Sequence, residues 1–164
     1  MVYVIADTHF NHENIIKYCN RPFKNANEMN EYIIKKWNSV VGENDTVYHL
    51  GDVGFGSDEE MQKLLNRLNG DKILIKGNHD LRRGNNGWIK VGFSKVYNKI
   101  LTLDNVILSH YPIEVDDGYI NVFGHIHDKP LDEKFNKENH FCVSCDVIEY
   151  MPVRLEDIKY KRYR

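Results

Sequence analysis

Cysteine is scarce in this chain: only Cys19, Cys142 and Cys145 among 164 residues. An odd, sparse set builds no disulfide framework, so a reducing, cytoplasmic setting is expected. Cys142 and Cys145 form a lone C-x-x-C. On a strand, positions i and i+3 face opposite sides, so the pair is not expected to chelate an ion and reads as buried thiols. No apolar run approaches the roughly 20 residues of a membrane-spanning helix, and the first residues run into a strand with no signal-peptide pattern. No membrane partner is expected. An excess of one charge is missing too. The 22 basic and 24 acidic residues leave a formal net charge of −2, which argues against wholesale polyanion binding. The basic end Lys159-Tyr160-Lys161-Arg162-Tyr163-Arg164 has a composition suited to nucleic acid but reads first as an exposed charged terminus. With no repeat, low-complexity tract or linker, residues 1–164 are expected to form one domain.

What the chain does have is five apolar runs that each end in metal-binding residue types. Val2–Ala6 leads into Asp7-Thr8-His9, Thr46–Leu50 into Gly51-Asp52, and Lys72–Lys76 into Gly77-Asn78-His79-Asp80. Val106–Leu108 leads into Ser109-His110, and Tyr119–Phe123 into Gly124-His125-Ile126-His127. Each run reads as a strand. In open α/β sheets sites form at the carboxyl ends of strands, so these residues should converge on one polar cleft.

The donors suit a pair of cations. Asp7 and His9 are two residues apart, as are His125 and His127, so at a strand end each pair can face one side. Asp52 has two carboxylate oxygens and can bridge two ions. Asn78 offers a carbonyl oxygen and His110 an imidazole nitrogen. Nitrogen and oxygen donors without thiolate favour manganese, with iron, zinc or nickel as alternatives. Two such ions, about 3.5–4 Å apart, clamp the attacking and leaving oxygens of a phosphoryl displacement and supply hydroxide near neutral pH. His79 is then placed to protonate the leaving alkoxide or to stabilise charge on the phosphoryl oxygens, with Asp80 orienting its ring and keeping it basic.

Between these blocks the pattern alternates. His12–Cys19 reads as a short helix. Asn25-Ala26-Asn27-Glu28 resembles a capping box opening a helix with Met29, Tyr32, Ile33, Trp37, Val40 and Val41 on one face. Ser57-Asp58-Glu59-Glu60 is a second box, followed by Met61, Leu64, Leu65 and Leu68. Leu81–Gly92 reads as loop or broken helix. Then strands dominate: Lys95–Leu103, Val106–Leu108, Tyr119–Phe123, His140–Val147 and Val153–Leu155, with a tight turn at Asp104-Asn105. A β-α-β-α-β half followed by a mostly β half predicts an α/β fold, a layered α/β/β/α sandwich of two mixed sheets flanked by helices.

The ordered set D-x-H, G-D, G-N-H-D, a lone His and G-H-x-H resembles the calcineurin-like metallophosphoesterase superfamily, and the likeness covers nearly the whole chain. The resemblance implies one ion on Asp7, His9, Asp52 and His127, and a second on Asp52, Asn78, His110 and His125. It implies His79 as catalytic histidine with Asp80 as its partner. After Gly51-Asp52, many members carry another polar residue, which Val53-Gly54-Phe55 does not supply. The stretch from Asp7 to Ile16, with Arg21-Pro22-Phe23, is similar to a small bacterial and phage-type branch.

The remaining candidates surround that centre. Asn11 and His12 are placed either to contact substrate or to cap a helix. Arg21, Arg82 and Arg83 are candidates for phosphate, because guanidinium matches phosphate oxygens bidentately. His49 is expected to support the Gly-Asp turn by hydrogen bonding, and His140 to be structural or exposed. The expected function is dinuclear metal-dependent phosphoester hydrolysis by a metal-bound hydroxide, with phosphodiesters first and phosphomonoesters as the alternative. Nucleotides or nucleic acid are candidate substrates. A non-catalytic protein-binding scaffold is disfavoured because every ligand and His79 are present.

Overall fold

The structure is a computed structural model describing residues 1–160. Most of the basic end, residues 161–164, lies outside the described residues. In chain order the elements are β1 (Val2–Ile5), α1 (Glu13–Tyr18), α2 (Ala26–Val40), β2 (Thr46–His49), α3 (Asp58–Leu65) and β3 (Asp71–Ile75). A 3₁₀ turn (His79–Arg82), α4 (Asn85–Val91), β4 (Lys95–Tyr97), β5 (Ile100–Leu103) and β6 (Val106–Ser109) follow. The chain continues through β7 (Ile120–Phe123), β8 (His140–Cys142), β9 (Val153–Arg154) and α5 (Leu155–Lys159).

The elements form two mixed sheets flanked by helices. The first has the order β4-β3-β2-β1-β9, parallel except for β9 against β1. The second has the order β5-β6-β7-β8, parallel except for β5 against β6. The inner strands are apolar on both faces, with Val4, Ile5, Leu74, Ile75, Leu108 and Val122 fully buried. That near-continuous apolar run is what a covered parallel strand requires.

The helices start where their capping signals lie. The Asn25 side chain accepts from the Glu28 N–H at 2.9 Å, and α2 then buries Met29, Ile33 and Trp37 at four-residue intervals. The reciprocal half of this box is diverted, because the Glu28 carboxylate accepts from the Lys24 N–H instead. In α3 both halves close between Ser57 and Glu60. Its Met61, Leu64 and Leu65 are buried, as are Trp88 and Val91 of α4. Among the described residues no helix is long and apolar enough to cross a membrane.

Three stretches differ from the sequence pattern. The expected strand Lys95–Leu103 is two strands in different sheets: β4 pairs with Ile73–Ile75, and β5 turns back onto Val106–Ser109. An apolar pattern shows that a strand exists but not which sheet takes it. The expected strand His140–Val147 ends at Cys142. Beyond it the Ala6 N–H donates to Val143 O and the Cys145 N–H to Ala6 O, which stitches the two sheets together. The chain then turns, with Tyr150 N–H returning to Cys145 O. Finally, α5 forms where only a strand end at Leu155 was expected, burying Leu155 and Ile158.

Candidate metal centre

The backbone pairing of β1 with β2 does not stop where the strands do. Asp7 N–H donates to Gly51 O, His9 N–H to Asp52 O, and Phe10 N–H to Val53 O, all at 2.9–3.1 Å. The two loops therefore run side by side and hold Asp52 against His9. Two glycines bring the remaining loops in. A Cβ on Gly77 would lie 2.7 Å from the His110 ring and 2.8 Å from the Asp52 nitrogen. A Cβ on Gly124 would lie 2.5 Å from Ala6 Cβ and 2.6 Å from Asp7 Oδ2.

The site residues share an unusual backbone. Asp7 (φ 58°), His9 (49°), Asn11 (61°), Asp52 (57°), His125 (69°) and His127 (53°) are all left-handed. Asp, Asn and His are the non-glycine types that tolerate this region best, each at a cost of order 1–3 kcal/mol. Side chains two apart thus share a side through alternating left-handed turns beyond the strand ends, and not through strand pleating.

Two clusters result. Asp7, His9 and His127 place their ligand atoms within 4.8 Å of one another, and so do Asp52, His110 and His125. Asp52 Oδ2 lies between them, 3.7 Å from His9 Nε2 and 3.6 Å from His110 Nε2. Asn78 Oδ1 is 3.1 Å from His110 Nε2. Asp7 Oδ1 and His9 Nε2 are buried and lack a hydrogen-bond partner among the described residues. Orphaned buried polar atoms carry a desolvation cost that a cation would relieve. The donor set therefore fits divalent ions.

Supporting bonds aim the imidazoles. His110 Nδ1 is 2.8 Å from Leu50 O, which fixes the proton there and turns the Nε2 lone pair into the cleft. Asp146 does the same for His127, with Oδ2 2.6 Å from Nδ1. Burial works against a charged His127, but Asp146, Cys19 and Asp7 outweigh it and raise its pKa to about 10. Burial, then Arg21, holds the His9 imidazole far below its usual range. Asp7 Oδ2 accepts from His125 N–H and Ser144 Oγ at 2.8 and 2.6 Å, while burial raises its pKa. A third grouping, Cys19, His127 and Asp146, backs onto the first cluster. There Arg21 already neutralises Asp146, at 2.8 Å.

The profile of the calcineurin-like phosphoesterases matches residues 1–158. The chain belongs to this family. An uncharacterised protein of Methanocaldococcus jannaschii is 44% identical over 165 residues, 94% of this chain and 87% of that one. The Gene 66 protein of Mycobacterium phage L5 is 36% identical over 78 residues, covering 46% of this chain and 37% of its own, in line with the phage-type branch. A crystal structure of a protein of unknown function from Aquifex aeolicus superposes with a TM-score of 0.73 at 27% identity, covering 98% of each chain.

Around the clusters, the phosphoesterase departs from sequence expectation at two residues. Asp80 does not touch the His79 ring. Its carboxylate is buried and accepts from the backbone N–H of Asp52, Val53 and Gly77 at 2.7–3.0 Å, pinning the loops after β2 and β3 together. Burial pushes its pKa up to about 6 against the pull of those donors. Arg21 does not reach the cleft. It is 4% exposed, and its guanidinium is spent on Asp146 and the carbonyls of Asp7 and Thr8. A buried arginine needs such partners, and with them in place it has none to give a substrate.

The other candidates fall at the rim or in support. His79 is partly exposed; its ring Nε2 is 3.9 Å from Asp52 Oδ2 and its backbone N–H donates to Asp52 Oδ1. His12 Nδ1 is 3.2 Å from His9 Nδ1, and its ring meets Phe55 edge-on at 4.6 Å. Asn11 is occupied by Asn30 and Phe55 O. Arg82 lies over the Phe55 ring, whereas Arg83 is tied to Asp58 and Gly56 O. His49 donates to Thr8 Oγ1, which itself donates to Val53 O, and burial keeps it neutral with a pKa of about 3. His140 is buried and holds Ile113 O and Asn136 O.

Three residues escaped sequence reasoning. Tyr111 is 46% exposed, donates to Asn78 Oδ1 at 3.2 Å and sits 4.3 Å from the His125 ring. Phe55 forms the opposite wall near His79, at 5.8 Å. Asp146 orients His127. Tyr111 directly follows the lone histidine, which was a usable signal; Asp146 had none, since a turn after β8 delivers it.

Proposed function

We propose that this phosphoesterase hydrolyses phosphodiesters at two divalent cations held by Asp7, His9, Asp52 and His127 on one side and Asp52, Asn78, His110 and His125 on the other. When bound, such ions lower the pKa of water and offset charge on the phosphoryl oxygens. Manganese suits the mixed imidazole and carboxylate donors best, with iron, zinc or nickel as alternatives and magnesium poor. Oxygen from water bonds to phosphorus as the bond to the leaving oxygen breaks. His79, free of both clusters, gives that oxygen its proton and regains one from solvent.

The observation that carries the diester reading is a cavity beside the clusters at His79 together with an exposed aromatic ring, Tyr111, beside His125. A cavity of about 480 Å³ opens beside His79, lined by Phe55, Arg82 and Trp88, where the body of a leaving alcohol would go. On the other side the exposed Tyr111 ring flanks His125. A monoester carries an organic group on one side only. Tight monoester selectivity also wants several cations around the third oxygen, and Arg83 is already committed to Asp58.

The test is the manganese-loaded protein on bis-p-nitrophenyl phosphate and on p-nitrophenyl phosphate. A higher kcat/KM is expected for the diester. A tenfold preference for the monoester, about 1.4 kcal/mol in transition-state binding, would replace the diester reading with phosphomonoester hydrolysis.

A further inference from the structure

The cavity beside His79 has a charge and an aromatic wall that a plain alcohol does not need. Arg82 lines it, and its guanidinium carbon lies 5.4 Å from the centre of the Phe55 ring. Among the described residues the Arg82 side chain has no ion pair or hydrogen bond. The neighbouring Arg83 differs, because Asp58 and Gly56 O hold it and Trp88 supports it from below at 4.7 Å. Asp58 also lines the cavity, but Arg83 and Lys90 both pair with it at 3.1 and 3.3 Å. Two arginines against one carboxylate, itself also paired with Lys90 from outside the cavity, leave the lining net positive, with Arg82 the charge left to offer.

The position of Arg82 relative to His79 follows from the turn that carries both. His79 and Arg82 are the first and last residues of the 3₁₀ turn. In a 3₁₀ helix residues i and i+3 eclipse, and three residues advance about 6 Å. Arg82 is therefore carried on the same face of the turn as His79, about one turn along it. That step is comparable with the separation of neighbouring phosphates along a nucleic-acid strand. Phe55 is within reach of both, 5.8 Å from the His79 ring and 5.4 Å from the Arg82 guanidinium carbon, and offers an aromatic face on which a base could stack.

We propose that Arg82 and Phe55 form a subsite for a leaving group that carries its own phosphate, so that the substrate is an oligonucleotide-type diester in which the departing nucleoside bears the next phosphate. Arg82 takes that phosphate, and the face of Phe55 that Arg82 does not cover takes its base. This rests on the phosphodiester reading for the reaction itself, but not for binding. A guanidinium stacked on an aromatic ring keeps its edge free for a bidentate phosphate contact, which a lysine would not reproduce.

Two measurements on the full, manganese-loaded chain separate the ideas. In calorimetric titration, thymidine 3′,5′-bisphosphate should bind at least tenfold more tightly than either thymidine monophosphate, one phosphate at the ions and the other at Arg82. Arg82→Gln should erase that ratio. A bisphosphate gain that is absent, or that survives Arg82→Gln, overturns the subsite. In cleavage of the trinucleotide TpTpT, the bond whose leaving nucleoside retains a phosphate should be cut at least tenfold faster than the other, and Arg82→Gln should equalise the two. Equal cutting of both bonds by the unaltered protein also overturns it. If no bond is cut while the bisphosphate ratio holds and depends on Arg82, the diester reading fails and the subsite stands.

Discussion

His79 differs from the histidines of the two clusters in having a ring that no neighbour aims. His110 and His127 are each fixed through Nδ1 by a carbonyl or a carboxylate, whereas the His79 side chain is 40% exposed and, among the described residues, meets aromatic rings and the edge of Asp52. A ring held this loosely suits a group that must give up a proton and turn to regain one. His79→Gln is expected to keep both ions, because the backbone N–H to Asp52 survives, while turnover falls roughly 10²–10⁴-fold, the usual worth of a positioned acid. Metal analysis checks the first part. A smaller loss for esters with good leaving groups checks the second, and equal losses for good and poor leaving groups would count against protonation by His79. The contrast with Asp80 marks what one-dimensional reading reaches. Residue identity announced that both belong to the site. Adjacency suggested that one serves the other, yet the 3₁₀ turn sends His79 outward and Asp80 inward to three amides.

At the scale of elements, the site depends on how closely loops can approach. Gly124 is the contact point between the end of β7 and the end of β1. Gly124→Ala would drive a methyl group into Ala6 and Asp7, whose Oδ2 holds the His125 amide and Ser144. Overpacking of this kind costs typically 1–3 kcal/mol, and here it would displace the carboxylate of Asp7, a proposed ligand. The expected result in denaturant unfolding is a loss of that size, together with weakened binding of the ion at Asp7, read by metal titration. Normal stability with unimpaired metal content would show that the loops have slack. The elements themselves were largely legible, because helix starts carry local chemistry: Asn25 and Ser57 cap as their spacing implied. Sheet membership was not. Lys95–Leu103 looks like one strand because both pieces alternate, but the switch between sheets at Asn98-Lys99 is set by which partner edge is vacant, a non-local fact.

At the scale of the whole molecule, each cluster draws on both sheets. Asp7, His9 and Asp52 come from loops after β1 and β2, while His110, His125 and His127 come from loops after β6 and β7. The stitch between Ala6 and residues 143–145 holds the two halves in register. An ion bound between them adds to that stitch. Chelation should therefore abolish hydrolysis and also lower the melting temperature. A site filled at 1,000 times its dissociation constant contributes about 4.1 kcal/mol. Full activity in chelator, with metal confirmed absent, would remove metal-assisted hydrolysis altogether. The convergence of five motif blocks was readable because strand ends of an α/β sheet gather on one side. That each cluster would span the sheets was not, since sequence order separates the blocks without saying which sheet each one joins.

The split of each cluster across two sheets also sets when an ion can act during folding. In the unfolded chain, Asp7 and His127 are separated by more than a hundred residues, and no partial structure confined to one sheet presents a complete ligand set. Capture of the ion must then come after the sheets have docked, and docking is expected to lie past the rate-limiting barrier. Interactions absent from the transition state slow unfolding and leave the folding rate nearly unchanged. In stopped-flow experiments, manganese should lower the unfolding arm of the chevron and barely move the folding arm, so that the ion serves as a latch against opening and not as a seed for folding. A folding arm that accelerates with metal would place ligand assembly before the barrier instead.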